Sequence, residues 1–459
     1  MRSALRCKTI LLTSLLGSGL GGVGVARAAE ITDVVDAVDG KDPYDATVDV
    51  TYSRTLRRAK ITREFACDPR VTPDTCTDAW PGVGALVNAK ELRYQRITHV
   101  MTPRLHLGIW HDLELETDLP IVLSDDQEVR FAGDGGDPNA VAVDPTISSI
   151  APDPDGPEDP ANLFDVPPKL PSRAGFGDMS LTLKWSPFNQ ERDDARATWT
   201  LAFTWGLPTG DVMKPGNSGV GHGVHTLTLE TSMSRRFAHA EPYFSLSGSI
   251  YAPSGDSLFK DYKFAQERIG PGPVARFEAG TEIVPYDEDG KRRLKVYIDL
   301  GLTGEYHAEG RDYNELTDAF AVGARACSLD PNVPVDANQA CYNRDSNSEL
   351  HGQPFDGIGT VEQFGAIRAH LGLGLYASRY FKMGAQVSLA HETEHFLSTA
   401  DVGKDLDGSG LVESRRDTTN FNANEQNPTF VPAVDAVGRR LRVEETTVFT
   451  TTFSASAVF

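Results

Sequence analysis

The feature that most constrains this chain is a two-residue alternation of apolar and polar side chains, repeated in long segments. In Val448–Phe459, Phe449, Phe453, Ala455, Ala457 and Phe459 share one face, while Thr450, Thr452, Ser454 and Ser456 share the other. Trp199, Leu201, Phe203, Trp205 and Leu207 alternate with Thr198, Thr200, Ala202 and Thr204. Leu294, Val296, Ile298, Leu300 and Leu302 alternate with Lys295, Tyr297, Asp299 and Thr303, and Phe381, Met383, Ala385, Val387 and Leu389 with Lys382, Gly384, Gln386 and Ser388. Extended chain sends successive side chains to opposite faces, so these segments read as strands with one apolar and one polar side. A soluble sandwich would alternate in the same way, so the pattern fixes the strands but not what surrounds them.

The connectors decide the surroundings. Short turns near Gly108–Asp112, Pro187–Asp194, Phe237–Ala240, Tyr286–Gly290 and Ser378–Tyr380 are interleaved with long polar connectors, Ala66–Lys90, Ser124–Ala174, Pro208–Gly221, Pro253–Gly270, His307–Gly357 and Thr399–Gly438. Short turns on one side and long loops on the other are the signature of outer-membrane barrels. The expected fold is therefore all-β: a single transmembrane antiparallel up-and-down β-barrel of about 12 strands with long extracellular loops, spanning 46–459. An even strand number puts both ends of the barrel, including Phe459, at the periplasmic rim. Trp185, Trp205, Tyr380 and Phe459 read as interfacial girdle residues. Beyond Val25 no run approaches the roughly 20 apolar residues a spanning helix needs, and mean hydropathy is −0.31.

At the start, Arg2, Arg6 and Lys8 precede a small and apolar run from Ile10 to Val25, and Ala26-Arg27-Ala28 follow. That order predicts a secretory signal over 1–28, cleaved after Ala28, with a periplasmic segment over 29–45 before the barrel. Cleavage removes four basic residues from a chain of net charge −21, giving −21 − 4 = −25. Such acidity excludes a nucleic-acid partner, whose phosphates it would repel. The expected partners are outer-membrane lipid, a small-molecule solute and the barrel-assembly machinery of a Gram-negative cell.

Four cysteines lie beyond the signal, Cys67 with Cys76 and Cys327 with Cys341 as local pairs. An even count in an exported chain predicts disulfides, and the short separations favour loop staples, although four cysteines permit three pairings. Neither pair has the close spacing of a thiolate metal site.

Three patches between about Glu91 and Tyr251 resemble a family of outer-membrane proteins assigned to the MetA (meta-cleavage) pathway of phenol degradation. They are Gly108-Ile109-Trp110-His111-Asp112-Leu113-Glu114-Leu115 with Leu119-Pro120, Gly175-Phe176-Gly177-Asp178, and Leu207-Pro208-Thr209-Gly210-Asp211, with a weaker echo at Ser234-Arg235-Arg236-Phe237. Gly, Pro and Asp there serve sharp turns. The resemblance implies a barrel that passes small aromatic or hydrophobic compounds, and it supplies no catalytic residues.

Three constellations could carry chemistry. His391-Glu392-Thr393-Glu394-His395 fits a zinc-protease motif that needs a helix. The alternation running into it predicts a strand instead, on which the two histidines would lie about 13 Å apart on one face. Asp405, Asp407, Ser409 and Glu413 resemble the first part of a calcium loop, but Arg416 stands where an EF-hand closes with glutamate. A structural calcium is the one cofactor the sequence suggests. By phase, Lys184, Arg196, Arg236, Arg276, Lys295, Arg368 and Arg442 should face the lumen, with Glu114, Glu116, Asp118, Asp178, Glu230, Glu278, Asp299 and Glu305. Charges of both signs either line a wet pore or pair across a narrow interior and close it. No GxSxG elbow or phosphate loop is present, so the chain reads as a non-enzyme: a pore or transporter, or else a non-conducting surface barrel with functional loops.

Overall fold

The computed structural model describes residues 29–35, 46–67, 85–131, 170–190, 192–262, 265–288, 294–318, 357–378, 380–412, 425, 427–430, 434–435, 437–438 and 440–459. Cys76, Cys327, Cys341 and Glu413 lie outside these residues, as does the side chain of Cys67.

Long antiparallel strands dominate: β1 (Ala46–Cys67), β2 (Ala85–Trp110), β3 (Leu113–Asp118), β4 (Ile121–Phe131), β5 (Arg173–Phe176), β6 (Met179–Phe188), β7 (Thr198–Leu207), β8 (Val224–Ser234) and β9 (Ala240–Pro253). They continue with β10 (Val274–Glu288), β11 (Leu294–His307), β12 (Gly310–Asp312), β13 (Gly359–Val361), β14 (Phe364–Ser378), β15 (Phe381–Glu392), β16 (His395–Phe396) and β17 (Leu441–Val458). Hydrogen-bonded neighbours run β1-β17-β15-β14-β11-β10-β9-β8-β7-β6-β3-β2, and β2 pairs back onto β1, so twelve strands close a barrel. β4 extends β3 beyond a break at Leu119-Pro120 and pairs the upper part of β2, and β5 similarly extends β6 beyond Gly177-Asp178. Closure leaves the circuit without a free edge, which membrane-embedded strands require because lipid offers no hydrogen bonds. The amide of Phe459 donates to the carbonyl of Ala46 at 2.8 Å and completes the seam at the short-turn end.

The apolar phase of the alternation faces outward. Leu183, Trp205, Leu229, Phe277, Leu302, Ile367, Leu389 and Phe453 are exposed, up to 69% for Ile367, where a soluble core would have hidden them. A closed barrel with this apolar exterior, short turns at one end and long loops at the other is an outer-membrane barrel. The buried hydrophobic core lies inside the long-loop end, where Ile61, Leu92, Val129, Leu316, Leu397, Leu441 and Val443 pack together. Inward glycines make room for large side chains: a Cβ on Gly374 would fall within the ring of Tyr297, and one on Gly301 against the His370 ring.

The three sequence patches that resemble the phenol-pathway family converge on one point of the wall. Gly177 donates to the Pro120 carbonyl at 2.8 Å, Met179 donates to Thr209 Oγ1 at 2.9 Å, and the Asp178 carboxylate accepts from Gly210 N at 3.0 Å and His222 N at 2.7 Å. Their glycines are steric necessities, since a Cβ on Gly210 would lie 2.8 Å from the Phe176 carbonyl oxygen. Loop 208–223 is thereby folded inward over the barrel mouth.

Candidate functional site

The lumen is organised in three levels. At the short-turn end, residues 29–35 enter it and touch inward-facing side chains of four strands. Ala29 N donates to Glu241, Thr32 Oγ1 lies 2.6 Å from Ser234 Oγ, Lys184 Nζ donates to the Asp33 carbonyl, and Val35 N donates to Glu114 Oε2 at 2.7 Å. Strands β3, β6, β8 and β9 supply these partners, four of the five consecutive strands from β9 to β3, so the segment lies inside the bore against that arc of the wall, as a partial plug.

Above it lies a belt of paired charges. His106 sits between Asp49 at 2.8 Å, Glu114 at 2.5 Å and Glu116 at 3.8 Å. Arg104 meets Asp118 at 2.9 Å. The Tyr243 hydroxyl donates to Asp299 at 2.9 Å, and His370 Nε2 lies 3.0 Å from the same carboxylate. Arg276 pairs with Glu278 at 2.8 Å, and both Arg276 and Arg368 approach Glu305, at 3.9 and 4.0 Å. Lys295 faces Glu282 at 4.0 Å lower down, at the level of Glu241, the register partner of Glu282.

At the long-loop end a cavity of about 350 Å³ opens between the wall and the in-folded loops. Phe364 in its lining is sandwiched face to face, 4.3 Å from the His307 ring and 4.0 Å from the His395 ring. Tyr94, Tyr251, Tyr313 and His222 add aromatic surface. Polar anchors are Arg57, bridging Glu315 at 2.5 Å and Glu392 at 2.6 Å, and Arg96, held to Asp125 at 2.6 Å. Behind the cavity Arg173 is fully buried, donating to Asn217, Gly219, Lys214 and, at 2.6 Å, to Asp318. The His222 ring reaches Asp312 at 2.7 Å: burial works against its charged form, but the Asp312 charge and hydrogen bond outweigh it and hold its pKa above the ordinary histidine value.

Of the charges that the sequence assigns to the lumen, Glu114, Glu116, Asp118, Lys184, Glu230, Arg276, Glu278, Lys295, Asp299, Glu305 and Arg368 share the inward phase, opposite exposed apolar neighbours. Four stand elsewhere. Arg196 is exposed in the turn between β6 and β7, beside Asp193. Arg236 lies in the turn between β8 and β9 and pairs with Asp287 at 2.6 Å. Asp178 sits in the break between β5 and β6, fastening loop 208–223. Arg442 faces outward with Glu394 and Glu444, because a bulge at Glu445, with φ of 50°, inserts an extra residue and reverses the phase. Leu441 and Val443 take the inward positions, fully buried.

The zinc-protease reading fails on geometry. His391 is on β15 and His395 on β16, neither on a helix; the break at Thr393-Glu394 puts His391 outward, paired in register with Ile367, and His395 inward against Phe364. The strand expectation holds, but the two rings face opposite sides. In the acidic turn, Asp405 accepts from the amides of Gly408, Ser409 and Gly410, and the Gly410 bond above all holds its carboxyl below the usual range. Asp407 and Glu425 bring carboxylate oxygens within 4.8 Å of it, so these three could hold a hard cation. Ser409 instead turns its hydroxyl to the Leu411 carbonyl. Glu425 lies too far along the chain for a loop motif to have flagged it.

No family model matches the sequence, and no curated protein is similar to it. Solved structures with a similar course include an outer membrane channel of Pseudomonas putida F1, 12% identical, covering 92% of this chain and 100% of that one at a TM-score of 0.38. A TodX monoaromatic hydrocarbon channel is 10% identical over 95% of this chain and 93% of its own, at 0.31. A FadL homologue of Pseudomonas aeruginosa is 8% identical over 91% and 90%, at 0.30.

Proposed function

We propose that this barrel is an outer-membrane channel for small aromatic or hydrophobic molecules, closed at rest and entered through the cavity at its long-loop end. The observation that carries this reading is the cavity of about 350 Å³ with the His307–Phe364–His395 stack in its lining. About 150 Å³ is enough to hold benzene, so a substituted ring fits with room for polar substituents to reach Arg57 or Arg96. Both faces of Phe364 are taken by the two imidazoles, so an aromatic solute would meet the edges of this stack and the Tyr94, Tyr251 and Tyr313 rings of the lining, which pack edge to face on a ring and offer little to a simple ion. The resemblance of the wall patches to a phenol-pathway family implies solutes of the same kind.

Binding of substituted phenols and benzoates to purified protein, followed by calorimetry, tests it together with their uptake into proteoliposomes. Saturable binding that weakens about three- to tenfold in Phe364→Ala is expected. Equal binding by wild type and variant would remove the cavity from the path.

The belt of paired charges and the in-folded loop 208–223 favour a second reading, a non-conducting surface barrel whose loops are the working part. It predicts that no solute crosses, with or without binding.

A further inference from the structure

We infer that cleavage after Ala28 creates the anchor of the lumenal plug: the new α-ammonium of Ala29 forms a buried ion pair with Glu241. Ala29 and Glu241 are both 0% exposed, and the nitrogen of Ala29 donates to Glu241 Oε1. The same oxygen accepts from Ser234 Oγ at 2.8 Å, while Oε2 is buried with no hydrogen-bond partner among the described residues. Lys295 and Arg236 act on Glu241 only through space, and a peptide nitrogen, with one hydrogen to give and no charge, leaves Oε2 short of a donor. An ammonium has three donors and the missing charge. Hydrolysis of the Ala28–Ala29 bond by a signal peptidase consumes one water, leaves a carboxylate on Ala28 and an amine on Ala29, and that amine takes up a proton at neutral pH.

Three further bonds place the rest of the segment once this end is fixed. Thr32 bonds Ser234, itself a partner of Glu241; Asp33 receives Lys184; and Val35 reaches Glu114. The segment is thus registered from Ala29 onward, and cleavage one residue earlier or later would leave the new amine about 3.5 Å from the place where it meets Glu241. The inference rests on the signal expectation and is independent of whether the barrel conducts.

Its test reads the amine directly. Mature protein from membranes is sequenced from its N-terminus, then treated when folded with a pyridinecarboxaldehyde that captures N-terminal amines and spares lysine. Heat-dependent gel mobility confirms that each variant is a folded barrel. Ala29 is expected as first residue, with an amine that reacts roughly 10²-fold more slowly than in unfolded protein. Both Glu241→Gln and a form with one glycine added before Ala29, which shifts the amine by about 3.5 Å, should lose that protection. A mature chain starting elsewhere, a wild-type amine reacting at the unfolded rate, or a Glu241→Gln amine as slow as wild type would each overturn the inference.

Discussion

Arg173 shows how much one side chain can organise here. It has no exposed surface, and its guanidinium draws in the carbonyls of Lys214, Asn217 and Gly219 together with the Asp318 carboxylate. Two loops that are far apart in sequence are thereby held to the start of β5. Removing one partner of a buried ion pair strands the other, at a cost of about 3–5 kcal/mol. Arg173→Met should therefore release loop 208–223 while the barrel, whose ladders do not pass through Arg173's side chain, still closes. Limited proteolysis would then cut between 208 and 223 in the variant and not in wild type, with heat-dependent gel mobility unchanged. Equal resistance would show that the loop is held by its own backbone contacts. Nothing in the sequence marks Arg173: it stands beside a long polar connector, and burial of a lone arginine there depends on chain that arrives from elsewhere.

At the scale of elements, the strands were legible because lipid outside imposes the alternation directly, as in Phe449 to Phe459 and Trp199 to Leu207. What escaped was whatever interrupts the period. The bulge at Glu445 turned Arg442 outward, and the break at Thr393-Glu394 separated His391 from His395 onto opposite faces. Both depend on a backbone departure of one or two residues, which leaves no mark on hydrophobic periodicity. The glycine and proline patches were visible as turns, but their convergence required β3–β4 and β5–β6 to break side by side. Loop 208–223 hangs from that point by Asp178 and from the short strand β12 by the His222–Asp312 pair. Because the folded pKa of His222 is raised, its tie contributes fully below about pH 6.5 and is lost as pH rises through the raised value. Hydrogen exchange in 212–221, corrected for its intrinsic pH dependence, should accelerate across that window in wild type. In His222→Gln it should be fast and flat, whereas a pH response persisting in that variant would assign the effect to another group.

For the whole molecule, the decisive property is that both ends of the bore are occupied by the chain itself. Loops fold over one end around the aromatic cavity, residues 29–35 enter the other along the arc from β9 to β3, and paired charges fill the belt between. A charged interior was legible in the sequence, but its occupancy by 29–35 was not, since that stretch precedes the first strand and bears no pattern of its own. Arg276 shows that the belt is not dry, because its side chain keeps 44% exposure although it points inward. Water therefore enters the belt from the long-loop end, and the plug stands on the short-turn side of it. Deleting 29–45 from the mature protein removes the plug without touching any strand of the closed circuit. In planar bilayers the full mature chain should give rare, small conductance steps, and the deleted form frequent steps of larger size. Glu241→Gln, which loosens the plug but leaves it tethered to β1, should flicker between the two levels. A deleted form that folds, inserts and stays silent would show that the in-folded loops and the paired charges seal the bore without the plug, and would favour the non-conducting barrel.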